Sequence, residues 1–262
     1  MAIDEAILVS TGRKESLPTL RLYAWQPPCL SLGYAQPMSD VDFSALEIHG
    51  WEMVRRPTGG RAILHTDELT YAVVASDNEP RLAGGVLESY QRLSEAILIA
   101  LRMLGIEAQS RAEPLPAPIQ PSGFIGEDNQ NPVCFEIPSN YEITANGKKL
   151  VGSAQARKKE GILQHGSLPL SGDLSRISRA LAFKNEQART NAATRLLDRA
   201  TTVESALNRK VTWEEAAQVF AEGFKRGLNI MFEKSDLSPT ELALAEELLH
   251  TKYAAPIWTN RI

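Results

Sequence analysis

The chain is short of cysteine, of long apolar runs and of excess positive charge, and each shortage excludes a class of function. Only Cys29 and Cys134 occur among 262 residues, too few for a disulfide framework, and no CxxC pair suggests a zinc site. Each cysteine is therefore either a small buried hydrophobe or a reactive thiol. No apolar run approaches the ~20 residues that span a bilayer. No basic stretch leading into an apolar one opens the chain, so neither a membrane nor a secretory signal is expected, and the location expected is cytoplasmic. The formal net charge of −4 has the wrong sign for a general nucleic-acid binder. No histidine and carboxylate spacing reads as a metal site.

What remains is an ordinary globular composition, 43% apolar and 23% charged, in a chain long enough to bury a substantial core. The patterning predicts helices over 1–10, 41–49 and 87–104, the last closed by Gly105. Strands are predicted over 20–23, 30–32, 51–54 and 69–75. Asn146-Gly147, between the runs 141–144 and 148–151, is the strongest hairpin cue in the chain. A strand over 162–168 follows the turn 158–161 and completes an antiparallel meander. Thr212 with Glu215 and Ser238 with Glu241 read as capping boxes, for a helix ending near Gly227 and a last helix over 239–251. No repeat or linker divides the chain. The order of elements predicts an α+β class: a mixed, largely antiparallel sheet flanked by helices, in one domain over 1–262 with 236–262 as a C-terminal helical extension.

Three segments carry candidate chemistry. The first is 55–65, RRPTGGRAILH. Paired Gly59 and Gly60 let backbone approach a ligand, and Arg55, Arg56 and Arg61 suit a carboxylate, a phosphate or a phosphopantetheine arm. An isolated glycine pair in a basic turn is more often plain solvated loop; flanking arginines, Thr58 and the apolar strand that follows favour a site. The second is 146–154, NGKKLVGSA. A lysine on a half-buried strand can polarise an acyl carbonyl or lower a thiol's pKa, while Gly152 and Ser153 leave room for substrate. The third is Cys134, at the end of a long Pro-, Gly- and Asn-rich loop over 113–132. Cys29 sits among apolar neighbours and reads as structural. His65 and His165 can approach such a site, though most histidines are simply hydrogen-bonded. If 55–61 and 148–159 meet, an acidic chain owns one basic surface.

Taken together, RRPTGGRAILH, ELTYAVV, NGKKLVGSAQ and ILQHGSL, in that order and spacing, resemble the biotin/lipoate A/B protein ligase superfamily over nearly the whole chain. MAIDEAIL, LRLYAWQPPCLSLGYAQ and KYAAPIW are similar to it too, and VCFEIPSNYEI resembles its cysteine-dependent octanoyltransferases. The resemblance implies a fold like the ligase catalytic domain and a donor of octanoyl-acyl carrier protein. It implies an acceptor lysine on a lipoyl domain such as the glycine cleavage H protein, and no cofactor. By motif, Cys134 matches the nucleophile, Lys149 the superfamily lysine, and Arg56, Gly59, Gly60 and His65 the acyl-binding segment. Thr58, Arg61, Gly152, Ser153 and His165 complete the expected substrate-binding set. Two departures stand out. The chain opens at a helix that a strand precedes in similar proteins, and Arg61 replaces a third glycine. The alternatives are an ATP-dependent lipoate ligase, an amidotransferase between lipoyl-bearing proteins, or a non-catalytic binding homologue.

Overall fold

The computed structural model describes residues 1–111 and 142–262. The expected loop 113–132, Cys134 and Tyr141 lie outside the described residues. The frame is a six-stranded antiparallel sheet in the spatial order β1 (Thr19–Tyr23), β5 (Glu68–Ala75), β9 (Gly161–Pro169), β8 (Lys148–Lys158), β7 (Glu142–Ala145) and β6 (Ala108–Arg111). The expected meander is β7, β8 and β9, with Asn146 and Gly147 in the left-handed backbone region that the tight turn requires.

Side chains alternate across a strand, and β5 and β9 put that alternation to two uses. Leu69, Tyr71, Val73 and Ala75, with Ile162 and Leu168, form the main core against α3 (Val86–Leu104) and α6 (Trp213–Leu228). Ala72, Val74 and Leu163 face the other way and pack on Ile7 and Leu8 of α1 (Ala2–Gly12). The helices α3 and α6 approach closely because Gly223 and Gly227 have no side chain; a Cβ at either would run into Ala96 or Ala100. Truncating a leucine of this core to alanine costs about 2–5 kcal/mol.

Beside the large sheet lies a three-stranded one with β2 (Cys29–Leu32) at its centre, β4 (Ile63–His65) antiparallel and β3 (Glu52–Arg55) parallel to it. Parallel neighbours need a crossover. It is supplied by α2 (Phe43–His49), capped by Asp42 and ended by Gly50 at φ 64°. The helix starts two residues later than its expected 41, because Val41 instead bridges to Leu181. Leu30, Leu32, Leu46 and Ala62 form a second core with Ile177, Leu181 and Leu196.

The Ser238–Glu241 capping box is present, opening α7 (Pro239–Leu248). Beyond Leu248 the helix widens into a π turn (Leu249–Tyr253) rather than running on to 251, and a short α8 (Pro256–Thr259) follows. The expected box at Thr212 is only half made: Thr212 accepts from the Glu215 N–H, but the Glu215 carboxylate turns to Arg209, 2.8 Å away. Among the elements that went unpredicted are β6, a 3-10 stretch at Leu174–Arg179, α4 (Glu186–Arg199) and α5 (Val203–Leu207). In α4 only Ala192 and Leu196 are buried, so it has almost no apolar period to read.

Candidate active site

Where β3 ends, the chain turns through 56–61, and Arg56 builds that turn. Its guanidinium donates to the Ser31 carbonyl at 2.9 Å, the Gly59 carbonyl at 2.9 Å and the Arg61 carbonyl at 2.6 Å. Gly60 takes φ 93°, and its carbonyl lies so close to Gly33 that a side chain there has no room. Arg55 is wholly buried and donates to the carbonyls of Gly33, Gln36 and Thr259, while its own carbonyl accepts from Trp258 Nε1 at 2.9 Å. The C-terminal segment is thereby tied to the base of the turn. A buried charge without such acceptors costs several kcal/mol. The expectation that Arg55 and Arg56 belong to a surface basic patch is therefore corrected: both are interior, held by backbone carbonyls.

A second network stands on β4 and β5. His65 Nδ1 lies 2.6 Å from Glu68 Oε1 and His65 Nε2 lies 2.7 Å from Ser31 Oγ. Thr70 and Ser167 both donate to Glu68, and Trp25 Nε1 donates to Thr70 at 2.9 Å. The Trp25 ring stacks on His65 with centroids 4.3 Å apart. Burial by itself raises the Glu68 carboxyl, but the His65 ring and the three hydrogen bonds outweigh it and hold the group below the ordinary carboxylate value. His165, on β9, meets Thr58 Oγ1 through Nε2 at 2.6 Å. Burial pushes its pKa down to about 3, so the ring is neutral at physiological pH. Its Nδ1 is buried without a hydrogen-bond partner among the described residues.

On β8 the two adjacent lysines part company, as strand alternation requires. Lys149 is 4% exposed, with Nζ 2.8 Å from Glu142 Oε1, whereas Lys148 reaches across to the Leu197 carbonyl on α4. Cys29 is buried on β2, and desolvation raises its thiol to about 12, which leaves almost no thiolate at neutral pH.

Several of these groups border two cavities that share Gly59, Gly60 and Ser153. The smaller has 430 Å³ of atom-free space, part of it open to solvent. Of the expected site residues, Arg56, Gly59, Gly60, His65, Gly152, Ser153 and His165 line it. The larger has 1510 Å³, part of it open to solvent, and takes Thr58, Arg61 and Lys149 with the shared residues. Sequence reasoning missed Trp25, Ser31, Thr70 and Ser167 in the smaller cavity. Polar residues inside otherwise apolar strands were the available signal, because buried polar groups need partners and mark sites.

A model of the lipoyl protein ligase A/B catalytic domain matches residues 1–225. The octanoyltransferase LipM of Carboxydothermus hydrogenoformans is 39% identical over 100% of this chain and 93% of its own length. That of Bacillus subtilis is 38% identical with the same coverage. Among solved structures, the bi-partite lipoate protein ligase of Thermoplasma acidophilum superposes with a TM-score of 0.78 at 26% identity, covering 99% of this chain and 89% of that one. A lipoate-protein ligase A bound with ATP gives a TM-score of 0.75 at 27% identity over 98% and 91% of the two chains. Among the described residues no helix is long and apolar enough to cross a membrane. With a family model matching most of its length and close relatives matching all of it, the chain belongs to the lipoyl protein ligase A/B catalytic domain family.

Proposed function

We propose that this chain is a cytoplasmic octanoyltransferase of protein lipoylation, acting as one catalytic domain over 1–262 with 236–262 as its helical extension. It carries octanoyl from octanoyl-acyl carrier protein, through a thioester on Cys134, to a lysine of a lipoyl domain such as the glycine cleavage H protein. Full-length identity near 40% to proteins named octanoyltransferase supports the reaction. The observation that carries the residue assignment is the state of the two cysteines and Lys149. Cys29 is locked on a buried strand as a thiol, which leaves Cys134 as the available nucleophile, and Lys149 is held as a buried cation at the cavity edge.

In the first step the Cys134 thiolate attacks the thioester carbonyl. Lys149 and the N–H groups of the Gly59-Gly60 turn stabilise the oxyanion. The carbon–sulfur bond to the pantetheine arm breaks, and the departing thiolate takes a proton from solvent. In the second step a neutral acceptor amine attacks the acyl-cysteine. The amide forms, the thioester breaks, and the proton lost by nitrogen returns to the Cys134 sulfur. A thioester is exchanged for a thioester and then for an amide, so no ATP enters. The octanoyl chain occupies the smaller cavity, among Trp25, Ile63, Gly152, Ala154 and Gly166. Intact-mass measurement after mixing with octanoyl-acyl carrier protein tests this. One octanoyl group on a peptide containing Cys134 is the expected result. Transfer that instead requires free octanoate, ATP and magnesium identifies a ligase.

A further inference from the structure

The segment 249–262, which carries KYAAPIW, lines neither cavity among the described residues. It is not held chiefly as core either: Leu249, Ile257 and Ile262 are exposed, and within the segment only Tyr253 is buried. Its contacts are instead polar and cationic, and they centre on Trp258. The indole Nε1 donates to the Arg55 carbonyl at 2.9 Å. Lys252 Nζ lies 4.2 Å from the Trp258 ring centroid and the Arg261 guanidinium 5.0 Å from it. Tyr253 and Tyr34 meet the same ring edge-on, with centroids 6.0 and 5.8 Å away. Lys252 and Tyr253 also reach Glu5 of α1, Lys252 Nζ at 2.6 Å. Since α1 is packed on the sheet through Ile7 and Leu8, the segment is anchored on a fixed element.

Tyr34 is the side chain on which this anchor bears. It lines the larger cavity with Ala35 and Gln36, on the loop that leaves β2. The backbone of that loop is already fixed. The Tyr34 N–H donates to the Thr58 carbonyl at 2.9 Å, and Arg55 holds the carbonyls of Gly33 and Gln36. The ring is not fixed by burial, since Tyr34 is 40% exposed. Arg261 fixes it instead. Its guanidinium carbon lies 3.9 Å from the ring centroid, and Nη2 donates to the hydroxyl at 2.7 Å. A planar cation can stack on an aromatic face and bond its hydroxyl at once, which a compact ammonium does less well. Without that contact a half-exposed tyrosine would sample several rotamers beside the cavity.

We infer that Arg261 and Trp258 are positioning residues: they hold the Tyr34 ring as a wall of the larger cavity, so that substrate meets it already in place. The inference rests on the acyl-transfer reading for its assay and goes beyond it in naming residues outside both cavities. The test is a double-variant cycle in steady-state octanoyl transfer from octanoyl-acyl carrier protein, run at high salt so that long-range charge effects are screened. R261Q should raise KM by on the order of tenfold and leave kcat within about twofold. Y34A should raise KM at least as far. Because Arg261 acts through Tyr34, the R261Q/Y34A protein should be no worse than Y34A alone. R261K, which keeps the charge but not the planar fork, should recover only part of the loss. I257A is the control: Ile257 is 85% exposed, one residue from Trp258, and its variant should leave KM unchanged. W258A should raise KM as R261Q does, and R261Q carries the test if W258A melts early. Loss of fold would lower the melting temperature and kcat per mole of protein while leaving KM where it was, and that pattern overturns the inference. Multiplying effects of R261Q and Y34A overturn it too, as does full recovery in R261K. Wild-type turnover with KM unmoved in R261Q overturns the inference alone. No turnover by wild type overturns the acyl-transfer reading and this inference with it.

Discussion

The two cavities that share Gly59, Gly60 and Ser153 differ in the charged side chains that wall them. Around the smaller one every strong charge is answered close by. Glu68 accepts from Ser167 and Thr70 and faces His65, Arg56 gives its protons to carbonyls, and His165 is neutral. Around the larger one the cations stand nearer solvent: Lys149 is paired with Glu142, Lys158 with Glu5, and Arg157 donates to the carbonyls of Leu82 and Gly85. A hydrocarbon chain must displace water from the wall it touches, and a wall of unanswered ions would resist that.

The sharpest test is at the proposed nucleophile. Cys134→Ser should abolish enzyme acylation, read as loss of the octanoyl adduct in intact mass, while Cys29→Ser should leave the rate within about twofold because its thiol is not ionised. A persistent adduct in the Cys134 variant would sink the acyl-enzyme pathway.

The second effect in size is at Lys149, the cation that lines the larger cavity beside Glu142. Lys149→Ala should slow acylation by on the order of a hundredfold, typical of losing one donor to a developing oxyanion. Lys148→Ala, whose side chain lies on the opposite face and reaches Leu197, should cost far less. Equal losses mean that the face assignment has no bearing on catalysis.

Third is the neutral wall itself. Glu68→Gln removes the charge that organises His65, Ser167 and Thr70, and should destabilise the fold by about 1–3 kcal/mol in denaturant titration. The sign with pH follows from the direction of its shift. The folded carboxyl lies below its ordinary value of 4.5, so its contribution is complete above that value and is lost as pH falls through the lower, folded one. The variant should therefore lose less stability than wild type on acidification below pH 4.5. Parallel acid limbs for the two proteins would mean that Glu68 does not carry the effect.

The smallest effect concerns the rim. Lys158→Glu should raise KM for a protein donor several-fold and flatten its salt dependence, since rim charges act mainly on association. Lys159→Glu, on the adjoining turn and free of the cavity, should change KM by less than about twofold. Identical responses would erase the distinction between a built cation and a solvated one.

Much of this was legible beforehand where local chemistry decides structure. Asn146-Gly147 can close only a tight turn, so the meander and the opposed faces of Lys148 and Lys149 could be read directly. The apolar run of β5 announced a strand buried on both faces. The polar helix α4, the five-residue α5 and the polar strand β6 gave no such signal, because their places are set by what they pack against. The same limit applied to charge. Three arginines within seven residues look alike in sequence, yet Arg55 and Arg56 lie inside the protein and only Arg61 reaches the larger cavity.

The sequence by itself determined which residue types stand at which intervals: the glycine turn, the NGKK hairpin, two cysteines in unlike surroundings, and periods long enough to declare helices and strands. Short-range sterics and hydrogen bonding are enough for that. Only the tertiary structure decided that β4, β5, β8 and β9 bring His65, Thr70, Ser153 and His165 to one cavity, and that carbonyls from distant loops hold Arg55 and Arg56 inside the protein. Pairing of strands far apart in the chain, and the burial that decides whether a charge is answered, arise from packing that no local window of residues contains.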